Sequence, residues 1–288
     1  MRHSVVVLDS TAAVDAVDAR VDALDSGDVS NASAVTGADV TAALNAVKTA
    51  LGLCLDNVAI QVFTASGTYT PAAGMKKCLV IITGGGGGSG SADTDGSDST
   101  VALSGAGAGG ATCIKLFTAA EIGASKAVTI GAGGNAGANG GDGTSGGTST
   151  FGSGPALLTA TGGTYGLGSG ANVTAQIAQS SGSFGGSATG GDINLPGGNS
   201  RAGFAVASAS AIFGCSGDGG GSFWGQGGPG RYKAQSSLSA DNSQSGSSGT
   251  TYGCGAAGAI NITTATATAG TAGNAGICVV LEFIESAF

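Results

Sequence analysis

Apolar residues at helical spacing open the chain and then give way to apolar runs at strand spacing. Val14, Val17, Val21 and Leu24 follow a three-four-three spacing that puts them on one helix face, with Asp15, Asp18 and Asp22 on the others. Two to three turns are marginal alone in water. The stripe therefore predicts a self-associating short coiled coil or, alternatively, a helix packed on its own domain. A second helix is predicted where Leu44, Val47 and Leu51 repeat, with cap candidates in Thr36, Gly37, Ala38 and Asp39. A short strand, Ser4 to Leu8, precedes both.

Strand-like runs follow at residues 59–63, 77–83, 127–130, 260–263 and 277–284. The last is predicted to pair with 77–83, which brings the two ends of a domain together on a small β base. This divides the chain into an attachment or oligomerisation segment, residues 1–57, and a glycine-rich domain, residues 58–288.

Between the strands the useful period is three. Glycine stands at Gly131, Gly134, Gly137, Gly140, Gly143 and Gly146, with shorter registers such as Gly84, Gly87 and Gly90. A polyproline II helix has three residues per turn and no internal hydrogen bonds. Glycine on one face lets two such helices approach and exchange those bonds sideways, and buried backbone groups require that partnering. The predicted fold class is therefore mainly β and irregular. It consists of a bundle of polyproline II-type glycine-rich helices on a small β base, with a short N-terminal α-helical segment.

Composition narrows this further. Glycine accounts for 58 of 288 residues, about a fifth against roughly 7% in ordinary proteins. With only 4 prolines the chain is not collagen, and with 10% charged and 41% apolar residues it does not read as disordered. The net charge of −8 and the lack of a Lys/Arg cluster argue against nucleic acid. No run of 18 apolar residues suggests membrane insertion. The first ten residues lack a signal-peptide layout, so synthesis in the cytoplasm is expected. Cys54, Cys78, Cys113, Cys215, Cys254 and Cys278 form no CxxC pair and are expected to be reduced and buried.

Several motifs imitate chemistry. Gly85, Gly87 and Gly90 fit the dinucleotide fingerprint after a strand, yet no helical stripe follows to receive a pyrophosphate. Asp93, Asp95 and Asp98 are oxygen donors suited to calcium, but the full calcium-loop pattern is missing, so a solvated acidic loop is expected. Glu121, Asp142, Asp192, Asp218 and Asp241 are scattered carboxylates that do not form an evident glycosidase pair, and His3 is too near the terminus to serve a catalytic serine. No enzyme activity, cofactor or metal is expected.

Aromatic residues are sparse, at 5%, and therefore conspicuous. Phe223 and Trp224 sit among glycines, with Arg231 and Tyr232 close behind and Phe213 before them. Exposed aromatics beside adaptable polar residues make contact surfaces at low entropic cost. These five are the candidate binding residues, with gap-filling between glycine segments as the alternative. Phe63 and Phe151 are expected in the core.

The segment Phe63, Gly67-Thr68-Tyr69-Thr70-Pro71, then the strand Cys78 to Thr83 and the run Gly84 to Gly88, resembles the opening of phage tail-fibre glycine-rich domains. Val128-Thr129-Ile130-Gly131-Ala132-Gly133-Gly134, Gly146-Gly147-Thr148-Ser149-Thr150-Phe151-Gly152 and the closing strand Gly276 to Phe283 continue the likeness in order, over residues 60 to 288. The chain is also similar to the tip adhesins of T-even-like phages, from which its first third departs. The resemblance implies a virion protein at a fibre or baseplate periphery. It implies a homo-oligomer, a trimer, among other tail or baseplate proteins, meeting a host surface glycan or an outer-membrane protein. Rival readings are a purely structural virion fibre or collar, an ice-binding protein and a depolymerase.

Overall fold

A computed structural model describes residues 57–94, 100–154, 157–169, 177–207, 211–235, 243–262 and 266–284. The Val14, Val17, Val21 and Leu24 stripe, the second helix, the Ser4 to Leu8 strand and Cys54 lie outside these residues. Ala59–Phe283 make one compact unit.

Alternation of apolar residues builds the first sheet. In β3 (Met75–Thr83), Cys78, Val80 and Ile82 face inward and are fully buried, whereas Leu79 and Ile81 face outward and are partly exposed. β5 (Thr112–Thr118) runs antiparallel beside it, in register from Lys77 opposite Thr118 to Thr83 opposite Thr112. β16 (Ile277–Ile284) adjoins β3 on the other side and buries Cys278, Val280 and Glu282. β1 (Asn57–Phe63) and β11 (Ile193–Leu195) complete the five-stranded order β1-β16-β3-β5-β11. The predicted partnership of the closing strand with residues 77–83 is thus a direct neighbour relation in this sheet.

A second, antiparallel sheet is ordered β10 (Ala188–Thr189), β8 (Leu158–Ala160), β7 (Ser149–Phe151), β6 (Lys126–Thr129), β2 (Gly67–Tyr69). The main core gathers residues of both sheets: Tyr69, Val128, Phe151 and Leu158 from this one meet Val80 and Phe117 from the first. The Phe151 ring centroid lies 5.6 Å from Tyr69 and 5.8 Å from Phe117, tilted in both cases. Phe151 is fully buried and Phe63 packs partly buried against this cluster. After β5 comes α1 (Ala119–Ile122), where Thr118 and Glu121 form a capping box and Ile122 is buried.

A third sheet, β14 (Tyr232–Gln235), β13 (Ile212–Cys215), β12 (Phe204–Ala207) and β9 (Ile177–Gln179), is antiparallel throughout. Its inner face packs Ala178 and Ala205 on the two-stranded sheet of β4 (Val101–Leu103) and β15 (Ile260–Ile262).

The expected bundle of polyproline II-type helices on a small β base is therefore corrected. Among the described residues the architecture is antiparallel β-sheet with one four-residue helix and no helical bundle. Most of the strands are two to four residues long and lie among Ala, Ser and Gly, so they carry no extended alternation to betray them in the sequence. The glycine-rich stretches run as extended chain between the sheets, and their N–H groups are partnered by flanking segments. Gly84, Gly87 and Gly90 donate to Ala111, Ala108 and Gly105, while Gly85, Gly88 and Ser91 donate to Gly147, Thr144 and Gly141. Gly86, Ser89 and Ala92 donate to Asn274, Thr271 and Thr268. The period of three thus marks which neighbour each residue faces. The six-glycine register does not run straight: it folds back at Asn139 and Gly140, both at positive φ, so that Gly147 bonds to Ala132 and Thr144 to Asn135.

Candidate functional site

The third sheet has two unlike faces because large and small residues alternate along its strands. In β12, Ala205 points inward and is fully buried, while Phe204 and Val206 point outward. In β13, Gly214 points inward, where a Cβ would press on Ala205, and Phe213 and Cys215 point outward. The register sets these side chains in two rows. Phe204 is opposite Cys215, which is opposite Tyr232; Val206 is opposite Phe213, which is opposite Ala234. Phe204, Phe213 and Tyr232 remain 52%, 55% and 60% exposed. The Phe213 and Tyr232 rings meet edge to face, with centroids 5.4 Å apart and planes at 86°.

Arg231 leads into β14 and anchors it. Its N–H donates to Ser216 Oγ at 2.8 Å and its Nε to the Ser245 carbonyl at 3.0 Å. On the other edge, Gln179 of β9 is opposite Phe204. A cleft of about 430 Å³ opens there, lined by Leu103, Leu167, Ser169, Gln179, Ser180 and Ser181, with no charged side chain in its lining. The face as a whole is thus aromatic and aliphatic, with Arg231 and Asp218 as charged neighbours at the β14 and Cys215 side.

Three of the five candidate residues, Phe213, Arg231 and Tyr232, come together on this sheet. Phe223 and Trp224 belong to another place. Trp224 donates its indole N–H to Thr83 Oγ1 at 2.9 Å, at the end of β3, and Phe223 stacks edge to face on it at 5.1 Å. Phe223 is half exposed.

That pair stands at the end of a second apolar surface, the outer face of the first sheet. Leu79 is opposite Leu116, and Ile81 is opposite Ile114, which is opposite Ile193. Ile60 and Val62 of β1 are exposed as well. These positions alternate with the buried core residues, so the sheet is apolar on both sides.

The sequence analysis points to none of Phe204, Val206 and Cys215 as parts of a site. The available signal was local: Phe204-Ala205-Val206 and Phe213-Gly214-Cys215 each place a small residue between two larger ones. Cys78, Cys113, Cys254 and Cys278 are buried free thiols as expected, but the free thiol of Cys215 is exposed. Partial burial, and then the nearby Asp218 carboxylate, push the Cys215 thiol above its ordinary range.

The residues that imitated chemistry are bound up locally. The N–H groups of Gly85, Gly87 and Gly90 already donate to neighbouring carbonyls, and extended chain follows them. Glu121 caps α1, and the backbone N–H of Thr118 holds its carboxyl below the usual range. Asp142 accepts from Gly168, Asp192 from Leu116 and Asp218 from Gly230, at 2.7, 3.0 and 2.7 Å. Asp241 lies outside the described residues. Asp93 is the exception: its backbone N–H donates to Ser169 Oγ, but its Oδ1 is buried without a hydrogen-bond partner among the described residues, and Asp95 and Asp98 lie outside them. Among the described residues, no three His, Cys, Asp or Glu side chains converge as a metal site. No described helix is long and apolar enough to cross a membrane.

Fold and surface together define an antiparallel β protein with glycine-rich connections and two exposed apolar sheet faces. The chain belongs to the glycine-rich domain family, whose model, described as "Glycine-rich domain", matches residues 63–281. A comparison with curated proteins finds no match.

Proposed function

We propose that this chain is a binding protein without catalysis, and that the aromatic face of the third sheet contacts its ligand. The observation that carries this is the Phe204, Phe213 and Tyr232 cluster, held half exposed on a sheet whose other face is packed. Rigid aromatic side chains give contact area with little entropy to lose, and such anchors dominate interface energies. The ordered likeness of residues 60 to 288 to phage tail-fibre domains supports a more particular reading. The chain would act at the distal end of a phage tail fibre, on a host surface glycan or outer-membrane protein.

Adsorption competition tests this. The full chain is added to susceptible bacteria before phage. Blocking of adsorption, lost in a folded Phe213→Ala/Tyr232→Ala variant, supports recognition through this face. Failure of a folded chain to block overturns receptor binding and favours a purely structural fibre component.

A further inference from the structure

We infer that the outer face of the first sheet is a self-association interface, and that its occupant is a second copy of this chain packed face to face about a two-fold axis. The inference is independent of any receptor. Its first support is the chemistry of the surface. Ile81, Ile114 and Ile193 form one row and Leu79 and Leu116 the next, and the outward side chains of these five offer no hydrogen-bonding group. Ile60, Leu116 and Ile193 are 60%, 44% and 52% exposed. Such a surface fits only another apolar surface. Lasting homodimer interfaces resemble a domain core cut in half, and this face has that character.

The second support is area. β1, β16, β3 and β5 have 7, 8, 9 and 7 residues. Four strands about 4.8 Å apart, about seven residues long at roughly 3.3 Å each, cover about 450 Å². Two such faces, extended by β11 and by the Phe223 and Trp224 pair at the Thr83 end, remove roughly 1,000 Å² from water. That reaches the lower bound of about 1,000 Å² for a specific interface, and each face matches the roughly 300–600 Å² of the largest, often functional, patches on monomers.

The third support is charge. In β3, Lys77 shares the outward parity of Leu79 and Ile81 and stands at the strand end opposite Thr83. A two-fold axis lying across the strands carries the two Lys77 ammonium groups to opposite ends of the pair, so these two charges do not meet. Face-to-face sheets pack about 10 Å apart with strands within about 30° of each other. An isologous contact closes after two copies.

The test is the molar mass of the full chain by sedimentation equilibrium, beside folded Leu116→Lys and Ile193→Lys variants. Both substitutions fall on outward positions and leave the inward core residues in place. The expected wild-type mass is at least twice the 26.7 kDa of one chain. It falls by half in each variant, with association weakened at least 100-fold, and stays unchanged in Phe213→Ala. An unchanged mass in either folded variant overturns the proposal, whatever the wild-type mass. Should one variant fail to fold, Ile60→Lys takes its place under the same criterion.

Discussion

Tyr69 donates its hydroxyl to Glu282 Oε1 at 2.7 Å, joining residues 213 positions apart in a fully buried contact between β2 and the closing strand β16. The same oxygen also accepts from the Ala72 N–H at 3.0 Å and from Gln61 Nε2 at 3.3 Å. Oε2 has no partner. A buried carboxylate deprived of its shortest hydrogen bond keeps the cost of its buried charge, whereas a neutral amide in its place carries a smaller cost. Tyr69→Phe should therefore destabilise the fold by about 1–3 kcal/mol. Tyr69→Phe combined with Glu282→Gln should cost clearly less than the sum of the single changes. Denaturant unfolding of the four proteins measures this coupling, and strict additivity would show that the pair is not a unit.

The close approach of glycine segments gives a sharper contrast. A Cβ on Gly87 would overlap the Thr164 carbonyl, a backbone group that cannot swing aside. At Gly67 a Cβ would meet only the Phe63 ring at 3.6 Å, an ordinary contact. Gly87→Ala should cost more than about 4 kcal/mol, or prevent folding, while Gly67→Ala should stay within about 1 kcal/mol of wild type. Thermal unfolding and soluble yield decide the matter. Equal tolerance at the two positions would mean that the extended segments do not pack as closely as described.

These two contacts show how far the sequence is legible. The long apolar runs at 77–83 and 277–284 announce β3 and β16 because both faces of this sheet are apolar. The register of glycines is also visible, but spacing alone identifies positions of close approach and not the conformation that uses them. That is why a helical bundle was expected where antiparallel sheets and extended connections occur. The turn at Asn139 and Gly140 is invisible in the register because glycine fits a reversal as well as a straight run. Phe213 and Tyr232 are readable as exposed aromatics. Their union with Phe204 depends on the β12–β13–β14 register, which strands of four residues do not encode locally.

Burial of thiols predicts an alkaline limit. Desolvation pushes the Cys278 thiol from its ordinary 9.0 up to about 12, and burial raises Cys78 and Tyr69 as well. A raised folded-state value means that the unfolded chain loses its proton first. The stabilisation is then fully present below about pH 9 and is lost as pH rises toward 12. For Cys278 the shift corresponds to about 4 kcal/mol. Tm should hold steady up to pH 9 and fall beyond it, and the fall should be shallower in Cys278→Ala. A Tm that is flat to pH 11 would contradict the burial of these groups.

Binding and stability should separate at the aromatic face. Phe213 and Tyr232 are more than half exposed, so replacing either by Ala should change unfolding free energy by only about 1 kcal/mol, mostly through the lost edge-to-face contact. If these rings are interface anchors, each change should weaken blocking of adsorption at least tenfold, about 1.4 kcal/mol in binding. Loss of stability in step with loss of blocking would instead mark the rings as structural.

Cys215 offers a chemical probe of the same face. It lies between Phe204 and Tyr232 in register, and its Sγ donates to the Ser216 carbonyl at 3.2 Å. The thiolate is the reactive form, and both partial burial and Asp218 raise the thiol. Modification by a maleimide should therefore be slow at pH 7 and accelerate steadily through pH 9. It should be faster in Asp218→Asn, and it should map by peptide mass to Cys215 ahead of the buried Cys78, Cys113, Cys254 and Cys278. A bulky adduct at Cys215 stands in the middle of the Phe204–Tyr232 row, so it should abolish blocking of adsorption while leaving Tm within a few degrees. Blocking that survives complete modification would place the contact elsewhere on the molecule.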